Sequence, residues 1–310
     1  MGQLHMPGLQ IARYRFTFSA VDQVVFNGQQ GSLLRGAFGH ALKGLGCMLP
    51  DQACASCPLA AGCVYPEVFE PLKQTRAGKR FTPPPPFVLH LDQRLEGQYR
   101  PGERFSFSIN LFGTAVQHIN LLVFAWQRAG WGGFGAGKKR AQLVQVDYQA
   151  GENDWQQIFS DGQPGVRAHQ QVLLSVTAPE TVRKVELEMK TPTRISLQGN
   201  YCNSKTLDAS LLLRNLHRKI HLYSLTYLGR LIEMPPLDAG IHLQFDGTVH
   251  KWHRYSTRQH AAMPMDGLVG KVKMEGDLTP WYFHLWLGQY THLGKNTSFG
   301  LGQYEIQLIE

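Results

Sequence analysis

The 310-residue chain carries 31 Lys and Arg against 23 Asp and Glu, a formal charge of +8 with 13 histidines in reserve, and this balance suits a polyanionic partner better than an acidic or neutral one. Its length exceeds what one core usually serves, so two domains are expected, and an apolar content of 43% is enough to fill both. No stretch has the regions of a signal peptide or the run of roughly 18 apolar residues that spans a bilayer, so a soluble, cytoplasmic protein with no membrane partner is expected.

Ile11 to Ala20 alternates apolar and polar residues as a strand does, with Tyr14, Phe16 and Phe18 on one face. Ser32 is placed to cap a helix from Leu33 to Leu45. At about 100° per residue, Leu34, Phe38, Ala41 and Leu45 form its buried stripe. Gly36, His40 and Lys43 share the opposite face, with Arg35 at the border. Cys47, Cys54, Cys57 and Cys63 follow in the spacing C-x6-C-x2-C-x5-C. In a reducing compartment such clustering predicts a closed four-thiolate zinc site, structural because no position is left for substrate, with an iron–sulfur cluster as the other group these ligands can hold. Cys202 stands alone and reads as a packed residue, and Pro83 to Pro86 as a stiff connector.

Phe87 to Leu91 and Arg104 to Leu111 read as strands, Ala115 to Arg128 as a helix, and Gln142 to Tyr148 as a strand. Between the last two lies the glycine-rich run from Trp131 to Arg140. The order strand, helix, strand, strand, helix, strand is the split βαβ pattern of a ferredoxin-like domain. The same order returns further on. Val185 to Leu197 is a strand, Leu207 to Leu228 a helix studded with Arg214, His217, Arg218, Lys219 and His221, and Ile241 to Trp252 and Leu268 to Met274 are strands. Trp281 to Tyr290 is helical, and a loop from His292 to Gly302 precedes a last strand bearing Tyr304, Ile306 and Leu308. The expected architecture is therefore α+β, with tandem ferredoxin-like domains over 1–155 and 156–310 and the cysteine-rich insertion at 46–66 of the first.

Glycines let main chain approach a ligand where side chains would block it. Lys138, Lys139 and Arg140 in the first loop, and Lys295, Ser298, Gly300 and Gly302 in the second, are accordingly candidates for holding RNA phosphates. A dinucleotide fingerprint is excluded by context, since its glycines open a helix whereas these open strands. The run Lys251 to Arg258 interleaves basic and aromatic residues as a base-stacking, phosphate-clamping strand does. His253 and Tyr255 there can move protons, and Arg254 and Arg258 can bind the backbone.

The stretch Leu34-Arg-Gly-Ala-Phe-Gly-His-Ala-Leu42, followed by spaced cysteines and by Tyr65 with Phe69-Glu70, resembles the N-terminal half of the CRISPR repeat-processing endoribonucleases of the RAMP superfamily. The C-terminal half is closer still. There Trp252-His-Arg-Tyr-Ser-Thr-Arg-Gln259, Gly267-Leu-Val-Gly270, Gly276-Asp-Leu278 and Leu293-Gly-Lys-Asn-Thr-Ser-Phe-Gly-Leu-Gly302 match in order. The resemblance implies tandem RRM-like βαββαβ domains, a C-terminal glycine-rich loop on the RNA, and an enzyme of antiviral defence that cleaves precursor CRISPR RNA within each repeat. The family's usual chemistry is attack of the 2′-OH on the adjacent phosphate, giving 2′,3′-cyclic phosphate and 5′-OH ends with no catalytic metal. Such a reaction needs a base, an acid and cations around the phosphorane. Histidine suits either proton role, and His40 lies where several family members place a catalytic histidine, with Arg35 and Lys43 flanking it as phosphate ligands. The expected partners are repeat RNA, crRNA and other CRISPR effector subunits. A non-catalytic crRNA-binding subunit of an effector complex and a redox or metal protein using the cysteines directly are the competing readings.

Overall fold

The computed structural model describes residues 3–5, 8–28, 30–76, 78–91, 95–135, 137–171, 174–197, 200–251, 253–256 and 261–309, with side chains described at all of these but 3–5, 253–256 and 261–262. The chain divides into two compact units, one of Leu9–Leu174 and one of Ser175–Glu310 joined by the first eight residues. Among the described residues no helix is long and apolar enough to cross a membrane.

In the first unit the elements that build the main sheet and its two long helices are β1 (Ile11–Ala20), α1 (Gln30–Gly46), β2 (Phe87–His90), β3 (Arg104–Phe112), α2 (Ile119–Gly132), β4 (Ala141–Gln149) and β5 (Trp155–Ser160). These five strands form one antiparallel sheet in the spatial order β5-β4-β1-β3-β2. Leaving out β5, which adds an edge by hairpin, this is the ferredoxin-like order fourth-first-third-second. The alternation read from the sequence sets the register: Tyr14, Phe16 and Phe18 of β1 are buried, and Phe16 lies opposite Phe107. Trp126 of α2 stacks on Phe38 of α1 at a centroid distance of 4.8 Å and tilts against Phe107 at 4.8 Å, so one indole joins both helices to the sheet. Burying side chains of this size contributes roughly 2–3 kcal/mol each.

The second unit contains β6 (Lys184–Thr193), α3 (Ala209–Leu228), β7 (His242–His250), β8 (His253–Ser256), β9 (Ala261–Pro264), β10 (Gly267–Glu275), α4 (Tyr282–Thr291) and β11 (Tyr304–Leu308). Its four-stranded sheet runs β7-β10-β6-β11, all antiparallel. The ferredoxin-like order is thus repeated, and the fold is α+β with tandem ferredoxin-like units. β8 and β9 pair as a separate two-stranded antiparallel ladder. Asp208 caps α3 by accepting from the Leu211 N–H at 2.7 Å, and Gly229 ends it in the left-handed conformation.

Several boundaries differ from expectation. The first helix starts at Gln30, so Ser32 lies inside it and is not its cap. Leu42 is fully buried, whereas Leu45 is 38% exposed, because the stripe in the last turn runs past the core. Residues 113–118 wind as a tighter 3-10 turn, so α2 begins at Ile119 and not at Ala115. It then runs through Gly130 and Gly132, until Gly133 at φ +83° takes up two terminal carbonyls with its N–H. The glycines that read as loop are therefore partly helix. At Gly130 a Cβ would overlap the carbonyl of Ala141, so that glycine serves the contact of α2 with β4.

Candidate nucleic-acid interface

On α1, His40 is exposed and makes no hydrogen bond to another described residue. Gly36 and Gly44 stand one turn before and after it on the same face and are also exposed. A Cβ added at Gly36 would meet nothing within 4 Å, and at Gly44 only the Arg128 guanidinium, at 3.4 Å. The imidazole therefore has no side chain at the positions four residues before and after it on its helix. Its presumed flanking cations are otherwise engaged. Arg35 lies over the Phe69 ring, 4.1 Å from its centroid, and donates to the Phe69 carbonyl at 3.4 Å. Gly39 lets that ring approach, since a Cβ there would overlap it. Lys43 donates to the Pro50 carbonyl at 2.7 Å, closing the helix onto the cysteine-rich loop.

The first glycine-rich loop is a tight hairpin. The Phe134 N–H donates to the Lys139 carbonyl at 2.8 Å and the Lys139 N–H to the Phe134 carbonyl at 3.0 Å, with Phe134 buried beneath the tip. Lys138 takes a positive φ of 45°, and Lys138, Lys139 and Arg140 are all exposed. Arg140 is held by Asp22 through its side chain at 3.0 and 3.2 Å, and its own N–H adds a third bond at 2.9 Å. The hydrogen bonds from Arg140 hold the Asp22 carboxyl at a pKa of about 2. Two of the three loop cations, Lys138 and Lys139, are left with no ion pair among the described residues.

The second glycine-rich loop is stitched into its unit. The Leu293 N–H donates to Gly302 at 2.8 Å, the Gly302 N–H to Pro192 at 3.1 Å, the Lys295 N–H to Arg194 at 2.9 Å, and the Gly300 N–H to Thr297 at 2.9 Å. Ser298, Gly300 and Gly302 are buried, so the surface this loop offers is Lys295, whose ammonium lies 5.6 Å from the Tyr201 ring. Two cations missed by the sequence reading do the stitching. Arg194, 5% exposed, donates to the Asp266 and Pro264 carbonyls, to the Asn296 side chain at 2.6 Å and to the Met265 sulfur, while Tyr201 covers its guanidinium. Lys219 reaches from α3 to the Gly294 carbonyl at 2.7 Å and the Thr297 hydroxyl at 2.9 Å. Burial lowers its pKa to about 7. Its place in a run of helical charges gave no sign of this.

His253, Arg254 and Tyr255 fall on β8, whose backbone alone is described, and Arg258 lies outside the described residues. The four cysteines of the insertion are free and partly buried. Burial raises the Cys54 thiol pKa, with Glu70, Cys47 and Cys63 close enough to act on it. Among the described residues no three His, Cys, Asp or Glu side chains are gathered as a metal shell.

Residues 187–304 match the family model described as CRISPR-associated endoribonuclease Cas6, and residues 9–171 match a model of an N-terminal domain, AF_1859_N. Residues 187–304 thus carry a Cas6-family domain. The Cas6 match runs from β6 to the first residue of β11 and so takes in Arg194, Lys219 and the whole second loop. No curated protein matches the chain. Among solved structures it is similar to a partial Cas6-RT-Cas1–Cas2 complex, at 13% identity and a TM-score of 0.55 over 98% of this chain and 47% of that one. The structure of the Cas6-RT-Cas1–Cas2 complex gives the same identity and TM-score over 29% of its chain. A Cas6 product complex aligns with 15% identity and a TM-score of 0.50, over 96% of this chain and 100% of that one. The chain thus spans about half, or less, of the first two proteins, and the three share its fold.

Proposed function

We propose that this chain is a CRISPR repeat endoribonuclease, binding precursor CRISPR RNA and cutting it within the repeat by attack of a 2′-OH on the adjacent phosphate. The observation that carries the reading is His40, an exposed imidazole, free of hydrogen bonds to described residues, on a helix face whose glycines let a ribose–phosphate chain lie against it. His40 accepts the 2′-hydroxyl proton as the 2′-oxygen bonds to phosphorus. The bond from phosphorus to the 5′-oxygen then breaks, and that oxygen leaves with a proton from a second acid. His253 and Tyr255 are proposed as proton-moving side chains of the second unit. The products are a 2′,3′-cyclic phosphate and a 5′-OH, and every proton moves between RNA and side chains without calling on a metal. Lys138, Lys139 and Lys295 are proposed to hold flanking phosphates, and other CRISPR effector subunits are proposed as protein partners.

The test is single-turnover cleavage of a labelled repeat RNA in chelator, with the product ends identified. His40→Ala is expected to slow cleavage by about a hundredfold or more. Gly36→Ala adds a methyl in open space and is expected to stabilise α1 by up to roughly 1 kcal/mol while slowing cleavage. A rate within a few-fold of wild type for His40→Ala removes the imidazole from the chemistry, and products ending in a 5′-phosphate overturn the 2′-OH mechanism.

A further inference from the structure

The outer face of α2 carries a feature the proposed chemistry does not use. Phe124, Arg128 and Trp131 recur at helical spacing, so they form one stripe directly opposite the buried face made by Leu122, Val123, Trp126 and Ala129. Phe124 is 50% exposed and Trp131 52%, although an aromatic ring is the side chain that gains most from burial. Arg128 is exposed between them and has no ion pair or hydrogen bond among the described residues. Its guanidinium crosses onto α1, its three nearest atoms lying 3.4, 3.6 and 3.7 Å from where a Cβ of Gly44 would stand. Gly44 is one turn from His40 on the same face, so the absence of a side chain there lets the Arg128 guanidinium lie against α1 one turn from His40.

We propose that Phe124, Arg128 and Trp131 form a track for single-stranded RNA, with Arg128 holding a phosphate next to His40 and the two rings stacking bases on either side. The proposal rests on the reading of the chain as an RNA-processing protein and adds to it the surface that seats the strand. A planar guanidinium suits phosphate better than an ammonium does. Rings on either side of a cation along one helix are what a stacked, sequence-tolerant strand needs. Arg35 and Lys43, the cations picked out by sequence, are occupied by Phe69 and Pro50, so Arg128 is the described guanidinium available to that face.

The probe is a fluorescein-labelled 20-nucleotide single-stranded oligoadenylate, its affinity for the full chain measured across a salt series in chelator. Phe124→Ala with Trp131→Ala is expected to weaken binding about tenfold or more with the salt dependence unchanged, since stacking is lost and no charge is removed. Arg128→Gln is expected to weaken binding several-fold and make the salt dependence shallower. All three positions are exposed, so melting temperatures should stay close to wild type. Variant affinities within twofold of wild type, or no binding of the oligonucleotide by wild type itself, overturn the track and leave the stripe to a protein partner. Repeat RNA cleavage by the same preparations separates the two failures. Intact oligoadenylate binding sensitive to these variants, with no repeat cleavage, sinks the processing reading alone; repeat cleavage with insensitive binding sinks the track alone.

Discussion

Where α3 meets α4, two imidazoles face each other: His217 Nδ1 lies 3.2 Å from His284 Nε2, and His221 stands 5.7 Å from His217 between ring centroids. His284 is 7% exposed, packs on Trp281, and keeps its Nδ1 buried without a partner. Burial, then the neighbouring His217, lowers its pKa to about 4. The unfolded chain therefore takes up a proton at this residue below about pH 6.5 that the folded chain does not. Stability contributed here is whole above pH 6.5 and is lost as pH falls through 4, by at most roughly 3 kcal/mol. His284→Phe, which keeps an aromatic ring and removes the titration, is expected to flatten the fall in urea midpoint between pH 7 and 4. An identical fall in wild type and variant would show that the imidazole is not responsible. None of this was legible in the sequence, where His217 and His221 read as helix-surface charges and His284 as part of an apolar run. The sequence placed His40 on its face correctly because helical periodicity alone decides that. It could not show that Arg35 is spent on Phe69, or that Gly44 opens a way for Arg128, because both depend on contacts between segments far apart in the chain.

Elements were more legible than residues, and the misses have local causes. Both βαββαβ series were readable because strand and helix periods differ so plainly, as in β1 and α3. The start of α2 was misplaced because Ala115 and Val116 are buried in a 3-10 turn and so extend the apolar pattern backwards. Its end was misplaced because Gly130 and Gly132 signal a loop by composition while serving close packing or nothing at all. The second glycine-rich loop, which reads as bare main chain waiting for a ligand, has the amides of Leu293, Lys295, Phe299, Gly300 and Gly302 bonded within the unit, so glycine there answers first to Arg194 and Leu293, whose backbone a Cβ at Gly294 or Gly302 would overlap. The cysteine-rich insertion is the element whose chemistry rests most on spacing. We propose that Cys47, Cys54, Cys57 and Cys63 hold a structural zinc; the support is their C-x6-C-x2-C-x5-C pattern, and the thiols do not stand in a shell. Elemental analysis of the purified chain is expected to find about one zinc per molecule, lost from a variant with all four changed to serine. A preparation with neither zinc nor iron ends the proposal.

Across the molecule, the charge of +8 overstates the cations open to a polyanion. On the second sheet, Lys271 binds Glu186 at 2.6 Å with Lys273 at 3.8 Å, Lys184 binds Glu275 at 2.5 Å, and Lys190 sits between Glu188 at 2.7 Å and Glu305 at 3.3 Å. That face is close to neutral by its own pairing, and in the first unit Arg15 and Arg140 are likewise held by Asp147 and Asp22. Counterion release counts phosphates neutralised by available cations, so the salt dependence of RNA binding reports which lysines are open, irrespective of net charge. Changing Lys138, Lys139 and Lys295 together to glutamine is expected to reduce the slope of log affinity against log salt by about 2, at roughly 0.7 per phosphate contact on a single strand. Changing Lys184, Lys271 and Lys273 removes the same charge from the chain and is expected to leave the slope nearly as it was. Equal changes in the two triple variants would mean that RNA senses only the total charge, and the loop tips would lose their place in the interface.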